Sequence, residues 1–245
     1  MQFFSSNFKL GILGGGQLGK MLLYDCKRYD VFTKVMDPSK DAPCNKIADE
    51  FVIGQLTNYE DVINFGKDVD VITVEIENVN TDALEALEKM GKKVYPSSST
   101  LKIIQNKSDQ KNFYYNNNLP TSKYKNYKNL KTLNDDLIKG LFKFPFVWKS
   151  SKFGYDGKGV KIVNSIKDLE NLPETDFLIE EKILIKKELS VIVSRNLNGE
   201  KKCFPIVEME FNKNSNLVEY VMCPAKISTE IENKAYEIAL KTSEE

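Results

Sequence analysis

The apolar positions of the chain follow different patterns in its two halves. Over the first hundred residues, short apolar runs alternate with segments whose apolar residues recur at helical spacing. The runs predict five strands, at residues 10–13, 31–36, 51–53, 71–74 and 93–95. Strands that alternate with helices indicate an α/β fold with a doubly wound parallel sheet.

Capping residues predict where two of the intervening helices begin and end. Asn58 is typical of the N-cap of a short helix that Gly66 ends. Thr81 is the predicted N-cap of the next helix, and Gly91 is predicted to end that helix.

The second half predicts antiparallel strands and few helices. A polar segment with helical spacing covers residues 102–115, and Leu119-Pro120-Thr121 breaks it. Strands are predicted at residues 144–149, 160–163, 176–181, 188–193, 204–211 and 217–222, and an amphipathic helix at 231–240. Asn198-Gly199 is typical of a two-residue hairpin turn.

Composition narrows the class of protein. The 245 residues are 41% hydrophobic, which is enough for more than one packed core. Thirty-five basic residues balance 35 acidic ones, so a dedicated nucleic-acid binder is not expected. Because no signal peptide or long apolar run is seen, we expect a cytoplasmic protein without membrane contact. Four cysteines, without a C-x-x-C pair, are expected to be reduced.

Histidine is absent, which excludes several catalytic devices. The Ser-His-Asp triad, the Cys-His pair and His-ligated zinc all need an imidazole. General acid–base chemistry is therefore left to aspartate, glutamate, lysine or tyrosine.

Two features of the first half suggest a binding site. Gly14-x-Gly16-x-x-Gly19 lies at a strand-to-helix turn, and Asp37 follows where a ribose-binding acid falls in dinucleotide-binding folds. The turn is either a phosphate cradle or simply a tight turn that needs glycine. Glu75-Ile76-Glu77 follows the fourth strand, and its acids are either ligand-binding or solvated.

The second half holds a glycine loop between two predicted strands. Lys149 ends the first strand, and residues 154–159 form the loop. Such a loop is either a lid over the phosphates of a nucleotide or a plain hairpin. Glu180-Glu181 and Glu188 follow on later strands, where a carboxylate either holds a ribose or is merely exposed.

Taken in order, these motifs resemble the ATP-grasp superfamily and, within it, the N5-carboxyaminoimidazole ribonucleotide synthetases. The similarity extends over essentially the whole chain, and its most specific part is the glycine loop with Lys149 before it. The other matching segments are residues 15–22, 73–79, 110–113, 119–121, 180–181, 188, 216–220 and 223–225.

The resemblance implies a reaction and a division into domains. ATP, bicarbonate and 5-aminoimidazole ribonucleotide would give N5-carboxyaminoimidazole ribonucleotide through carboxyphosphate, in purine biosynthesis. Residues 1–104 would form a Rossmann-like pre-ATP-grasp domain, and 105–184 the small lid subdomain. Residues 185–245 would begin the large subdomain. A homodimer is also implied.

The resemblance also implies roles for individual residues. Tyr155 and Asp156 would be catalytic, with Asp156 handling a proton. The 5-aminoimidazole ribonucleotide would contact Gly16, Gln17, Leu18 and Glu75. ATP would contact Lys107, Lys149, Gly154, Tyr155, Asp156, Gly157, Lys158, Gly159, Val160, Glu180, Glu181, Lys182, Ile183 and Glu188.

In one respect this sequence departs from the family pattern. The family chain continues further, and the continuation holds the acidic and asparagine ligands of magnesium (Mg2+). We therefore expect those ligands beyond residue 245, and a truncated chain that does not turn over alone. Three alternatives stay open: another ATP-grasp ligase such as a glycinamide ribonucleotide transformylase, a nucleotide-dependent dehydrogenase using Asp37, and a non-catalytic remnant that binds nucleotide or a partner.

Overall fold

The computed structural model describes residues 7–152, 159–212 and 217–245. It divides into two compact units, one ending at Gln105 and the other beginning at Asn106. The division into an ATP-grasp lid and large subdomain near residue 184 stays a prediction. Within the described ranges, no helix is both long and apolar enough to cross a membrane.

The first unit alternates strands and helices, as the apolar pattern predicts. Its strands are β1 Lys9–Leu13, β2 Phe32–Asp37, β3 Glu50–Ile53, β4 Val71–Val74 and β5 Lys93–Tyr95. Its helices are α1 Gln17–Arg28, α2 Tyr59–Gly66, α3 Thr81–Lys89 and α4 Ser98–Ile104. The strands form one parallel sheet in the order β3-β2-β1-β4-β5.

Both faces of this sheet are covered, because alternate residues of one strand enter different cores. Leu13 and Met36 pack in a cluster with residues of α2 and α3, whereas Ile12 and Val35 pack with Leu23 of α1. The predicted doubly wound parallel sheet is therefore confirmed. Strand order reverses between β1 and β4, so the residues after Leu13 and Val74 share one carboxyl edge, where ligands bind in such sheets.

The predicted N-caps are correct for α2 and wrong for α3. Asn58 Oδ1 accepts a hydrogen bond from Asp61 N at 3.1 Å, as expected. The cap of α3 is Asn80, whose Oδ1 accepts from Ala83 N at 2.8 Å, and Thr81 is the first helical residue. Asparagine and threonine adjoin here, and asparagine is the stronger N-cap.

The described residues of the second unit form three antiparallel sheets. One has the order β6-β9-β7-β8, one the order β10-β13-β14, and β11 pairs with β12 alone. Its strands are β6 Tyr124–Tyr127, β7 Phe146–Ser150, β8 Val160–Val163, β9 Phe177–Glu181, β10 Glu188–Ser190, β11 Val193–Arg195, β12 Lys201–Cys203, β13 Val207–Phe211 and β14 Val218–Met222. Its α-helices are α5 Lys107–Asn116, α6 Leu130–Ile138 and α7 Thr229–Glu244.

Three predicted elements of this region are interrupted. The helix expected at 102–115 is two helices, because Asn106 leaves the helical path and caps α5 through Ser108 N at 3.0 Å. The strand expected at 188–193 is divided into β10 and β11. The strand expected at 204–211 begins only at Val207, because Pro205 has no N–H to continue the ladder from β12.

A hairpin is present at Asn198-Gly199, but the prediction of a two-residue turn is wrong, because residues 196–200 form the loop between β11 and β12 and Gly199 N donates to Asn196 O at 3.0 Å. β11 and β12 pair around it with Val193 opposite Cys203, and Gly199 has a φ of +84°. Glycine adopts this left-handed conformation without the steric cost of a Cβ.

Candidate functional site

The glycine turn after β1 is tied to the neighbouring loop after β2. Gly14 N donates to Met36 O at 2.9 Å, and Cys44 N donates to Gly15 O at 3.0 Å. Gly15 N donates to Asp37 Oδ2 at 2.8 Å. Gly14 N, Gly15 N and Gly15 O are therefore bonded to other groups of the protein.

Asp37 is engaged by both carboxylate oxygens. Besides the bond from Gly15, its Oδ1 accepts from Ser39 N at 2.8 Å. In a dinucleotide-binding fold this acid would instead be directed at the ribose. The geometry therefore disfavours the dehydrogenase alternative, which needs Asp37 for a ligand.

Glu75 lies directly against the same turn. Its backbone N donates to Leu13 O at 2.7 Å, which places it beside the end of β1. An ideal Cβ on Gly16 would lie 2.4 Å from Glu75 Oε1, and one on Gly14 would lie 2.8 Å from Oε2. A carboxylate therefore occupies the position where a phosphate cradle would hold its anion, at the N-terminus of α1.

The four predicted substrate-binding residues lie at this one edge of the sheet. Gly16 is the N-cap residue of α1 and has no side-chain cap, while Gln17 and Leu18 are exposed in the first helical turn. Glu75 is half-buried beside them. The structure thus brings Gly16 and Glu75 into contact, and their role in binding substrate stays a prediction.

The second unit contains a buried carboxylate that joins two lysines. Glu180 of β9 is 8% exposed. Its Oε1 lies 2.8 Å from Lys149 Nζ, and its Oε2 lies 3.0 Å from Lys111 Nζ. Ser122 Oγ donates to Oε2 at 2.7 Å. A buried charge of this kind is stable only when it is paired and hydrogen-bonded.

These partners decide the protonation of Glu180. Burial by itself raises the pKa of a carboxyl group. Here the hydrogen bonds from Lys149, Ser122 and Lys111 outweigh burial, and they hold the pKa of Glu180 below its ordinary value. Glu180 is therefore an anion at neutral pH.

Lys149 is the more accessible of the two lysines. Its side chain is 29% exposed, against 12% for Lys111. Among the described residues, Glu180 is the only recorded hydrogen-bond or ion-pair partner of the Lys149 ammonium. An ammonium has three donors, so Lys149 retains capacity for an anionic ligand.

The other predicted ATP-binding residues within the described ranges lie on several elements of the second unit. Lys107 begins α5, and its backbone N donates to Ser151 O at 2.8 Å. Gly159 O accepts from Ser150 N at 2.9 Å, and Val160 pairs with Lys149 across β7 and β8. Glu181, Lys182 and Ile183 are exposed after Glu180, and Glu188 begins β10 on a different sheet.

Part of the predicted site lies outside the described residues. The two predicted catalytic residues, Tyr155 and Asp156, belong to this part, as do Gly154, Gly157 and Lys158. Their assignments stay predictions.

Sequence reasoning assigned no role to Lys111 and Ser122. Lys111 lies one helical turn after Lys107, which is a weak indication that the two share a face of α5. No local signal indicates that either residue contacts Glu180, because β9 is distant in sequence.

The described residues offer no magnesium site. Within them, no group of three or more histidine, cysteine, aspartate or glutamate side chains is arranged to hold a metal ion. Magnesium prefers several oxygen ligands in octahedral geometry, which this part of the chain does not assemble.

Comparison with known proteins decides the family. A model of the ATP-grasp domain matches residues 112–245, and a model of the ribonucleotide synthetase preATP-grasp domain matches residues 8–105. The chain belongs to the ATP-grasp family. The predicted fold class, a parallel α/β domain followed by an ATP-grasp domain with antiparallel sheets, is confirmed.

Three relatives illustrate the similarity to other ATP-grasp proteins. Phosphoribosylaminoimidazole carboxylase of Candida glabrata is 35% identical over 92% of this chain and 40% of its own. N5-carboxyaminoimidazole ribonucleotide synthase of Bacillus subtilis is 32% identical over 96% of this chain and 62% of its own. The structure of an Aspergillus clavatus N5-carboxyaminoimidazole synthase with ADP and 5-aminoimidazole ribonucleotide is 31% identical, with a TM-score of 0.86 over 98% of this chain and 63% of its own.

The ATP-grasp chain described here is shorter than these relatives. It spans between 40% and 62% of the length of the two sequence relatives. The similarity therefore covers both described units of this chain, and only part of each relative.

Proposed function

We propose that the protein acts in the ATP-dependent carboxylation of 5-aminoimidazole ribonucleotide by bicarbonate, a carbon–nitrogen ligation of purine biosynthesis. The observation that carries this proposal is the similarity, over 98% of the chain, to a synthase structure that holds ADP and 5-aminoimidazole ribonucleotide. The same activity is named in the sequence relatives, which favours it over a transformylase.

The donor set of the second unit fits a nucleotide. Phosphoryl transfer depends on positioning and on charge stabilisation, so cations must surround the phosphates. Lys149 is partly exposed and, among the described residues, its ammonium bonds only Glu180, so it is our candidate for contact with a phosphate. The other proposed ATP-binding residues are Lys107, residues 154–158, Gly159, Val160, Glu180, Glu181, Lys182, Ile183 and Glu188.

The edge of the first unit fits a ligand that offers hydrogen-bond donors. Glu75 is an acceptor beside Gly16, and a carboxylate accepts from amine or hydroxyl groups. We propose that Glu75, with Gly16, Gln17 and Leu18, binds 5-aminoimidazole ribonucleotide. The acceptor geometry supports contact with its amine or its ribose hydroxyls.

Proton transfer is assigned to the glycine loop. The residues that we propose for it are Tyr155 and Asp156, as the family resemblance implies. Among these 245 residues the acid–base groups are aspartate, glutamate, lysine and tyrosine, and we propose Asp156 as the proton acceptor. No step is assigned to magnesium, since the described residues do not assemble a site for it.

The setting of the protein is also proposed. The family resemblance implies a homodimer, and the expectation of a cytoplasmic protein comes from the sequence. Sedimentation of the purified chain measures its oligomeric state, and microscopy of a tagged chain measures its location in the cell.

Calorimetric titration with ATP and with NADH tests the proposed function. We expect ATP to bind, and Lys149→Ala to weaken that binding about 10- to 100-fold, since a charge-assisted hydrogen bond contributes about 1.5–3 kcal/mol. Lys139→Ala, an exposed lysine after α6, removes the same charge elsewhere in the unit and should leave ATP binding unchanged. Binding of NADH but not ATP, or equal ATP affinity in Lys149→Ala, would contradict the proposal.

A further inference from the structure

The ammonium of Lys111 is saturated by protein oxygens. Its Nζ lies 2.6 Å from Thr121 Oγ1, 2.9 Å from Ser122 Oγ and 3.0 Å from Glu180 Oε2. An ammonium has three N–H donors, so three acceptors use all of them. Its position over the ring of Tyr124, 5.7 Å from the centroid, restricts it further. Lys111 therefore has no donor left for a ligand.

The two oxygens of Glu180 have different partners. Oε2 accepts from both Lys111 and Ser122, which uses its two acceptor positions. Within the described part of the chain, Oε1 contacts only Lys149, at 2.8 Å. Lys111 and Ser122 thus fix one end of the carboxylate, and the other end is directed to the exposed lysine.

This division of partners gives the two lysines different tasks. Lys149 is a flexible side chain, and a lysine loses considerable rotamer entropy when it is fixed in one place. A carboxylate that is itself held rigidly fixes Lys149 before any ligand arrives, and a preorganised cation binds an anion more tightly. A second cation at Oε2 also offsets the cost of burying Glu180.

We propose that Lys111 is a positioning residue of the nucleotide site: it holds Glu180 as a carboxylate whose Oε1 orients Lys149. This inference rests on the proposed nucleotide binding and deepens it. Lys111 acts through Glu180 and Lys149, without contact with the nucleotide.

The test is calorimetric titration of the full chain with ATP, with Lys111→Met compared with wild type. We expect ATP to bind about tenfold more weakly to Lys111→Met, the order of one charge-assisted hydrogen bond. Lys111→Arg retains the charge and should recover part of the affinity. Lys125→Met is the matched control. Lys125 lies on β6, in the same sheet as Glu180, but its ammonium bonds Asp136 and does not touch Glu180.

The pH dependence of ATP binding distinguishes a positioning role of Lys111 from a merely structural one. The groups that face Glu180 are Lys111 from α5, Lys149 from β7, and Ser122 and Tyr124 at β6. Without Lys111 one cation is lost, so Glu180 is protonated at higher pH and releases Lys149. The ratio of the two dissociation constants, Lys111→Met over wild type, should therefore rise between pH 8 and pH 5.5, and the Lys125→Met ratio should stay constant.

A double substitution makes the chain of contacts explicit. If Lys111 acts only through Glu180, adding Lys111→Met to Glu180→Gln should weaken ATP binding no further. Wild-type affinity in Lys111→Met, a pH-independent ratio, or full additivity with Glu180→Gln would overturn the positioning role alone. Failure of the folded wild-type chain to bind ATP would overturn the proposed function itself, and the positioning role with it.

Discussion

Glu75 and Gly16 lie so close together that a side chain on Gly16 would displace the Glu75 carboxylate. An ideal Cβ on Gly16 would lie 2.4 Å from Glu75 Oε1. The φ of Gly16 is −74°, a value that any residue adopts, so the glycine is required here for space and not for backbone conformation. The close contact brings the carboxylate to the N-terminus of α1, where the helix dipole favours an anion.

Gly16→Ala is therefore expected to displace Glu75. The nearest atoms belong to the carboxylate end of a flexible side chain that can rotate away, so the methyl group should lower the free energy of unfolding by less than about 1 kcal/mol, below the usual range for overpacking. It should also weaken binding of 5-aminoimidazole ribonucleotide more than binding of ATP, because ATP is assigned to the other unit. Chemical denaturation and calorimetric titration measure the two effects.

The control is Gly16→Ala in a Glu75→Ala background. With the carboxylate gone, the methyl group has space, and most of the loss of stability caused by Gly16→Ala should disappear. An equal loss of stability in both backgrounds would show that the conflict is not with Glu75.

Trp148→Phe is expected to be much milder than the usual loss of a core tryptophan. Trp148 is 1% exposed and packs near Phe177, with ring centroids 5.8 Å apart. Among the described residues its indole Nε1 has no hydrogen-bond partner, so phenylalanine removes a buried unpaired donor. Trp148→Phe should cost less than about half of Trp148→Ala, for which about 3–5 kcal/mol is typical. Denaturant unfolding followed by circular dichroism measures both, and equal losses would contradict the prediction.

Tyr127→Phe is expected to lower the free energy of unfolding. Tyr127 is buried, and its hydroxyl donates to Asp136 Oδ2 at 2.7 Å. Asp136 is itself buried, and among the described side chains only Lys125 still bonds it when the Tyr127 bond is lost, so we expect a loss of about 1–3 kcal/mol. Tyr24→Phe, on the exposed surface of α1, is the control and should leave stability within about 0.5 kcal/mol. An unchanged free energy of unfolding in Tyr127→Phe would show that the Tyr127–Asp136 hydrogen bond makes no net contribution to stability.

Glu180→Gln is expected to change how stability depends on pH. The pKa of Glu180 is lowered in the folded chain, although burial alone raises it, so its ionisation stabilises the fold above the unfolded pKa of about 4.3. This contribution is lost as the pH falls through the folded pKa. The difference between wild type and Glu180→Gln should therefore be largest at neutral pH and shrink below about pH 4. Urea unfolding from pH 7 to pH 3 measures it.

The matched control for this pH series is Glu181→Gln. Glu181 is the exposed neighbour of Glu180 on the same strand. If Glu181→Gln changes the pH profile as much as Glu180→Gln does, the effect is one of net charge and not of the buried ion pairs.

The four thiols are expected to react in the order of their exposure. Cys223 is exposed and Cys203 half-buried, whereas Cys26 and Cys44 are buried. Burial, with the charges of Glu75 and Asp37, raises the pKa of Cys44 to about 11, so its reactive thiolate is scarce at pH 8. Alkylation followed by mass spectrometry should modify Cys223 first and Cys44 only after denaturation. Early modification of Cys44 would show that the loop after β2 opens readily.

Secondary-structure elements were predicted correctly where the pattern of neighbouring residues is strong. The strands of the first unit and the place of the Asn198-Gly199 hairpin were predicted correctly, because apolar periodicity and turn residues are properties of neighbouring residues. The length of the hairpin loop was not, because it depends on how the two strands pair. The misplaced cap at Thr81 and the strand broken at Pro205 show the limit of this approach. In both cases the reason is local but easily overlooked: Asn80 is a stronger N-cap than its neighbour Thr81, and Pro205 has no N–H for a strand ladder.

The sequence by itself determined where chemistry is concentrated. Glu75 follows a buried strand and the glycine turn follows another, and parallel strands place both at one edge of the sheet. Only the tertiary structure decided which groups meet: Glu75 fills the turn, and a helix residue, Lys111, shares Glu180 with Lys149 of a strand. Periodicity specifies the face on which a side chain lies, whereas its partner is specified by the order and register in which distant segments pack.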